Sequence, residues 1–193
     1  MQAKRVDVKL YVDASSQAAV SELVTVFHGF IQRSVITDEV VIDVADYSHV
    51  PSGPGVMLLC HEGQYGFEQQ KGRTGLFYSQ RRAKVDGFKS ALVYSLRHAL
   101  RMASLLEKDD ALKGRLKWNG QELMLRINDR LHAPNTASTW KDAEPVVRGV
   151  LDQLYAGASY SVEPGPPSPE LFTLHVKASA PASVDTLLAR LPG

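Results

Sequence analysis

The chain has a single cysteine, Cys60, which excludes an internal disulfide and any metal cluster built on cysteines. It also lacks a long apolar run; nothing approaches the roughly 20 residues that a membrane-spanning helix needs. The first residues, MQAKRVDVKLYV, go straight into an alternating pattern rather than a secretory leader. Together these features predict a cytoplasmic protein with no membrane segment. There is no phosphate-binding Walker loop, no dinucleotide fingerprint, no GxSxG elbow and no CxxC pair, so no motif indicates a cofactor. No dominant charge exists either: the formal net charge is +1, which gives no global attraction to nucleic acid or membrane.

What is present is ordinary for a globular chain: 193 residues, 44% apolar and 22% charged, enough for one large domain or two small fused ones. The charge is unevenly distributed. Residues 71–117 hold 12 Lys/Arg against 4 Asp/Glu, whereas the rest of the chain holds 10 against 17. The simplest reading sets a basic surface against an acidic one in the same fold or across a homodimer. An anionic ligand is the other reading.

Residues 5–12, RVDVKLYV, alternate as a strand, and Ser15 or Ser16 can cap a helix over 16–34 carrying Val20, Leu23, Val24, Phe27, Phe30 and Ile31 on one side. Residues 39–45, 56–61 and 75–81 read as strands. The longest helix is predicted from Asp86 to Glu107, with an apolar stripe of Phe88, Leu92, Leu96, Ala99, Ala103 and Leu106; Tyr94, Arg97 and Arg101 share another face, and Gly114 suits a C-cap. LKW-NG-QELMLRI predicts a hairpin turning at Asn119–Gly120. A helix on Ala143, Val146, Val147, Val150, Leu151 and Leu154 follows, with Ser138 or Thr139 as its cap. Two more strands come next, SYSVE and LFTLHVKA, then a short helix after Ser183.

This order is β-α-β-β then α, twice over. Both copies carry a Pro/Gly connection, PSGPG and PGPPSP, and at an offset of 115 Val12 falls on Ile127, Pro54 on Pro169 and Leu59 on Leu174. The expected class is α+β: a mixed or mainly antiparallel sheet with helices on one face, built from two ferredoxin-like pseudo-equivalent halves, 1–114 and 115–193, in one unit.

Three groups of residues could carry function. In EVVIDVADYSHVPSGPGVMLLCHEG, Asp46, His49, His61 and Glu62 are candidates for acid/base or metal-assisted chemistry. A plain antiparallel hairpin would hold the two pairs apart by about one strand length, near 20 Å, so no joint metal site is expected. In RINDRLHAPNT, the side chains of Arg126, Asn128, Arg130, Asn135 and Thr136 suit a small carboxylate or phosphate, because guanidinium donates in a bidentate fork. Ordinary ion pairs on a wet strand face would use the same residues. Arg73, Arg81, Arg97 and Arg101 could make a basic patch for nucleic acid, but no nucleic-acid motif accompanies them.

The segments VIDVADYSHVPSGPGVMLLCHE and RINDRLHAPNT resemble those of a family of uncharacterised bacterial proteins of similar length. The resemblance implies a bacterial cytosolic protein and brings no activity, cofactor or site residue. The leading functional expectation is therefore a non-catalytic module that binds a small anion or a protein. A small acid/base enzyme and a nucleic-acid-associated protein are the alternatives.

Overall fold

In the first strand, β1 (Val6–Val12), Val6, Val8 and Leu10 point to one side and Asp7, Lys9 and Tyr11 to the other. The computed structural model describes residues 1–82, 85–166 and 168–192. After β1 come α1 (Glu22–Gln32), β2 (Val41–Tyr47), β3 (Gly55–Cys60), β4 (Gly63–Glu68), a 3₁₀ turn at Gln70–Gly72, β5 (Gly75–Gln80) and α2 (Gly87–Lys108). The chain continues with β6 (Trp118–Ile127), α3 (Ala137–Tyr155), β7 (Tyr160–Pro164), β8 (Phe172–Ala178) and α4 (Val184–Ala189).

All eight strands form one sheet in the order β2-β3-β4-β5-β1-β6-β8-β7, every neighbouring pair antiparallel. The fold is α+β, and its two halves meet at the central β1–β6 pair. They differ in strand count. Three strands separate β1 from β2, whereas β8 alone separates β6 from β7. The structure does not confirm a ferredoxin-like repeat.

The register makes continuous rows across the sheet. Leu58, Tyr65, Tyr78, Val8, Leu125 and Leu174 align from β3 to β8, and all are buried. Helix residues join them in a single core: Leu23, Phe27 and Phe30 from α1, Leu92, Leu96 and Ala99 from α2, Val147 and Leu151 from α3, Leu187 from α4. Each fully buried side chain of this size contributes roughly 1.5–3 kcal/mol.

The alternate rows carry the polar and charged side chains, mixed with apolar ones. Gln64, Ser79, Asp7, Arg126 and Thr173 make one, and Gly66, Phe77, Lys9, Met124 and His175 another. On this face the Asp7 carboxylate accepts from Ser79 Oγ at 2.8 Å and from Arg126 Nε at 3.0 Å. Lys9 Nζ meets Glu68 Oε1 at 2.5 Å.

Several local expectations are corrected. Asn119–Gly120 does not turn a hairpin; both lie within β6. Residues 109–116 fold back in turns off the end of α2 and leave too little chain for a preceding strand. The register there slips between Leu10↔Leu123 and Val12↔Trp118, so Asn-Gly supplies an irregularity in a strand instead. A Cβ on Gly120 would lie 1.8 Å from the Ala182 carbonyl oxygen, which explains the glycine. Strand β4 was not expected, because GQYGFE carries two glycines where strands usually carry branched residues. Helix α1 starts at Glu22, since Asp13 Oδ1 ties down the Ser15 amide and Glu22 Oε2 accepts from the Ala19 amide. Thr136, rather than Ser138 or Thr139, caps α3. Gly114, at φ +78°, lies in the turns beyond α2, whose C-cap is Asp109.

Both sheet edges are blunted. At β2 a bulge falls between Val41 and Asp43, and Asp43 Oδ1 occupies the Val44 amide at 2.8 Å. Strand β7 carries exposed Ser161 and Glu163 and ends on Pro164. Such devices discourage a further strand from pairing there.

Candidate functional site: a cleft over a buried Glu-His-Tyr cluster

The antiparallel β2–β3 pair splits the first candidate group. Asp46 lies opposite Val56 at one end, and Val41 opposite Cys60 at the other. Asp46 Oδ1 accepts from the Ser48 amide at 2.8 Å and closes the turn; that hydrogen bonding, with the Ser48 hydroxyl first, holds its carboxyl below the usual range. His49 is exposed beyond it. At the far end His61 is exposed against Arg82, with Nδ1 at 2.7 Å from the guanidinium, while Glu62 is buried. No cluster of three or more metal-ligating side chains occurs among the described residues.

The second group is also dispersed. Arg126 lies over the Phe77 ring at 4.7 Å and pairs with Asp7. Arg130 is exposed. Asn135 Nδ2 donates to the Pro166 carbonyl at 3.1 Å, and Thr136 Oγ1 caps α3. Asn128 lines a surface cleft of about 720 Å³ with Lys4, Arg5, Asp129 and His132. There His132 Nδ1 is 2.9 Å from Asp129, and Lys4 pairs with Asp86 at 3.7 Å.

The four basic-patch arginines do not form one surface. Arg73 stacks on Tyr11 at 3.7 Å and pairs with Glu122 on the polar face of the sheet. Arg81 leaves the end of β5 with its amide on the Glu62 carbonyl. Arg97 and Arg101, in contrast, share a cleft of about 360 Å³ on α2, lined also by Asp38, Tyr94, His98 and three residues of the α4 region, Leu188, Ala189 and Leu191.

Behind this cleft is a concentration of buried polar groups. The Glu39 side chain has no solvent exposure, and His98 retains 9%. Glu39 Oε1 accepts from Tyr78 Oη at 2.8 Å and from Tyr94 Oη at 3.5 Å, and lies 3.6 Å from His98 Nδ1. Tyr65 Oη is 3.0 Å from the same nitrogen. The His98 ring stacks on Tyr78, with centroids 5.1 Å apart and planes at 13°, and packs against Tyr94 at 4.2 Å. Among the described residues, Glu39 Oε2 and both amide atoms of Gln80 are buried without a hydrogen-bond partner. Buried polar atoms left unsatisfied are uncommon, and they concentrate at working sites.

The local sequence explains the assembly. Tyr94, His98 and Arg101 recur at i, i+4 and i+7 on α2 and so share one face. Tyr65 and Tyr78 are directly opposed on β4 and β5. Gly63 makes room for them, because a Cβ there would fall 2.4 Å from Tyr78 Oη. Glu39 lies two residues before β2, at the end of that strand where Val41 pairs with Cys60 of β3.

Burial, then the neighbouring Glu39, pushes Tyr78 well above the usual phenol range and Tyr94 up to about 12, so both hydroxyls stay protonated donors at neutral pH. Burial, reinforced by Glu39, likewise raises the Cys60 thiol and makes it a poor nucleophile. Burial lowers His98, against the opposing pull of Glu39, and keeps the ring neutral.

A pH effect follows. The unfolded chain binds a proton at His98 near the ordinary imidazole pKa, while the folded chain resists it, so stability falls as pH drops from about 7 toward 5. His175 adds in the same direction through burial, then Lys71 and Arg73. The slope is at most about 1.4 kcal/mol per pH unit for His98, and exposed His175 contributes less because water screens it. Urea midpoints across this range should show it, and His98→Gln should flatten it; an unchanged slope in that variant would contradict the assignment.

Sequence reading placed Tyr94, Arg97 and Arg101 on one face but passed over His98 beside them, and it missed Glu39 and Tyr65. The available signal was the histidine at i+4 from Tyr94. No family model matches the chain, and no curated protein matches it.

Proposed function

We propose that this protein is a cytoplasmic binding protein for a small anion, held in the cleft between α2 and α4 by Arg97 and Arg101. The observation that carries this reading is the state of Arg97. It lines the cleft and donates to the Leu191 and Pro192 carbonyls at 3.4 and 2.5 Å, yet no carboxylate pairs with it among the described residues. Among the described residues its remaining N–H donors have no partner, which suits an anion. Arg101, paired with Asp38 at 2.6 Å, adds a second guanidinium. Leu188 and Leu191 supply an apolar wall, so the cleft suits a short carbon chain with a charged end better than a bare ion.

A thermal-shift series with inorganic phosphate and short mono- and dicarboxylates tests the reading. A ligand at about 100 times its Kd stabilises by about 2.7 kcal/mol, a shift of several degrees for a chain of this size. The shift should be lost in Arg97→Gln and weakened in Arg101→Gln. Absence of any shift at millimolar anion, or a full shift in both variants, would refute the reading.

A further inference from the structure

The cleft holds more than a charge trap, because one wall is an imidazole set up for proton transfer. His98 lines the cleft, while its Nδ1 edge is turned inward, 3.0 Å from Tyr65 Oη and 3.6 Å from Glu39 Oε1. A carboxylate beside Nδ1 favours the tautomer protonated there, which leaves the lone pair on Nε2. Among the described residues Nε2 has no partner. The two flanking tyrosine rings fix the ring plane. Tyr94 lines the same cleft, and its hydroxyl makes only a long 3.5 Å bond to Glu39 Oε1, a bond it can exchange for a ligand oxygen.

We propose that the cleft is a catalytic site in which His98 Nε2 removes a carbon-bound proton from a short 2-oxo carboxylate anchored by Arg97 and Arg101, with Tyr94 donating to the oxygen that gains charge. This rests on the anion-binding reading above. In the step, the Nε2 lone pair takes a proton from C3. The C3–H pair becomes the C2=C3 double bond, and the carbonyl π pair moves onto oxygen as an enolate that accepts from Tyr94 Oη. Reprotonation at C3 from the imidazolium restores the ketone, so no oxidant or reductant is consumed. His98 and Tyr94 are the catalytic residues. Glu39 is a positioning residue, which orients the ring and stabilises the imidazolium. Glu39 Oε1, 3.6 Å from Nδ1, suits that role, since the charge it balances arises only during the reaction.

The test is hydrogen washout in D2O, which requires no knowledge of a product. Pyruvate, 2-oxobutyrate and 2-oxoglutarate are incubated with the full chain, and the C3 proton signals are followed by NMR against a protein-free control. At least one should lose signal faster with protein. His98→Gln should slow that loss about 100-fold or more, while the Arg97-dependent thermal shift with the same acid persists. Tyr94→Phe, which keeps the ring and removes only the hydroxyl, should also slow it and serves where His98→Gln fails to fold. Glu39→Gln should slow washout and move its pH profile, a readout that a purely structural role would not move. If the 2-oxo acids bind without washout, or washout survives in both His98→Gln and Tyr94→Phe, this proposal fails and the binding reading stands. If phosphate binds but no 2-oxo acid does, the substrate class is wrong. If no anion binds, both readings fail.

Discussion

Gly55→Ala is expected to destabilise the protein by roughly 4 kcal/mol or more. Gly55 begins β3 at φ +68°, where an added Cβ alone costs roughly 1–2 kcal/mol. That Cβ would also fall 1.9 Å from the Phe67 carbonyl oxygen and 2.9 Å from the Glu68 Cα. Both are backbone atoms, so relief requires β3 and β4 to separate where Val56 faces Phe67. Each of these two residues is fully buried, and the movement would open the core. Gly149→Ala is the matched control. It lies within α3 with nothing within 4 Å of the added Cβ, so it should stabilise by about 0.5–1 kcal/mol. Urea denaturation of both variants checks the pair; a mild Gly55→Ala would mean that the β3–β4 pairing is looser than described.

Lys9→Met should cost about 3–5 kcal/mol, the penalty typical of leaving one member of a buried ion pair behind. Lys9 and Glu68 have side chains only 5% exposed, on the face of the sheet away from the core. Lys9 Nζ also donates to the Arg73 carbonyl at 2.7 Å, and Glu68 Oε2 accepts from the Gln70 amide. Burial pulls the Lys9 ammonium below its usual pKa, and Glu68 opposes that pull. Without Lys9, the Glu68 carboxylate would remain in the same dry position. Removing both charges in Lys9→Met/Glu68→Met should therefore cost less than Lys9→Met alone, since an apolar pair of similar volume replaces the ions. Additive losses in this double-mutant cycle would show that the two charges are solvated independently.

The architecture was legible where side-chain period and burial agree. In β1 and β8 every second residue enters the core, so the alternation of Val6, Val8 and Leu10, and of Phe172, Leu174 and Val176, gave strands with bounds close to those observed. The α2 stripe of Phe88, Leu92, Leu96, Ala99, Ala103 and Leu106 is likewise buried throughout. Errors arose where a distant contact decides the local conformation. Asn119–Gly120 has the chemistry of a hairpin turn, but the approach of Ala182 gives that glycine a different purpose. Gly63 and Gly66 conceal β4 for a similar reason, since one makes room for Tyr78 and the other lies beneath Pro54. The site was harder to read. His98 occupies a helix stripe where an apolar residue would serve equally well, and its partner Glu39 is 59 positions away in sequence, brought near only by β2 joining the sheet edge. The Asp46/His49 and His61/Glu62 pairs stood out because they are close in sequence, which an antiparallel ladder converts into distance.

The central β1–β6 pair also sets the order of events at the ribosome. Strand β1 leaves early and finds β5 on one side once residue 80 has been made. Its other edge stays open until residue 127 completes β6. At roughly 5–20 residues per second, the intervening stretch of about 47 residues takes about 2–10 s to synthesise. Throughout that interval the nascent amino-terminal sheet presents the unpaired backbone edge of β1, and the second half of the chain acts as its delayed internal chaperone.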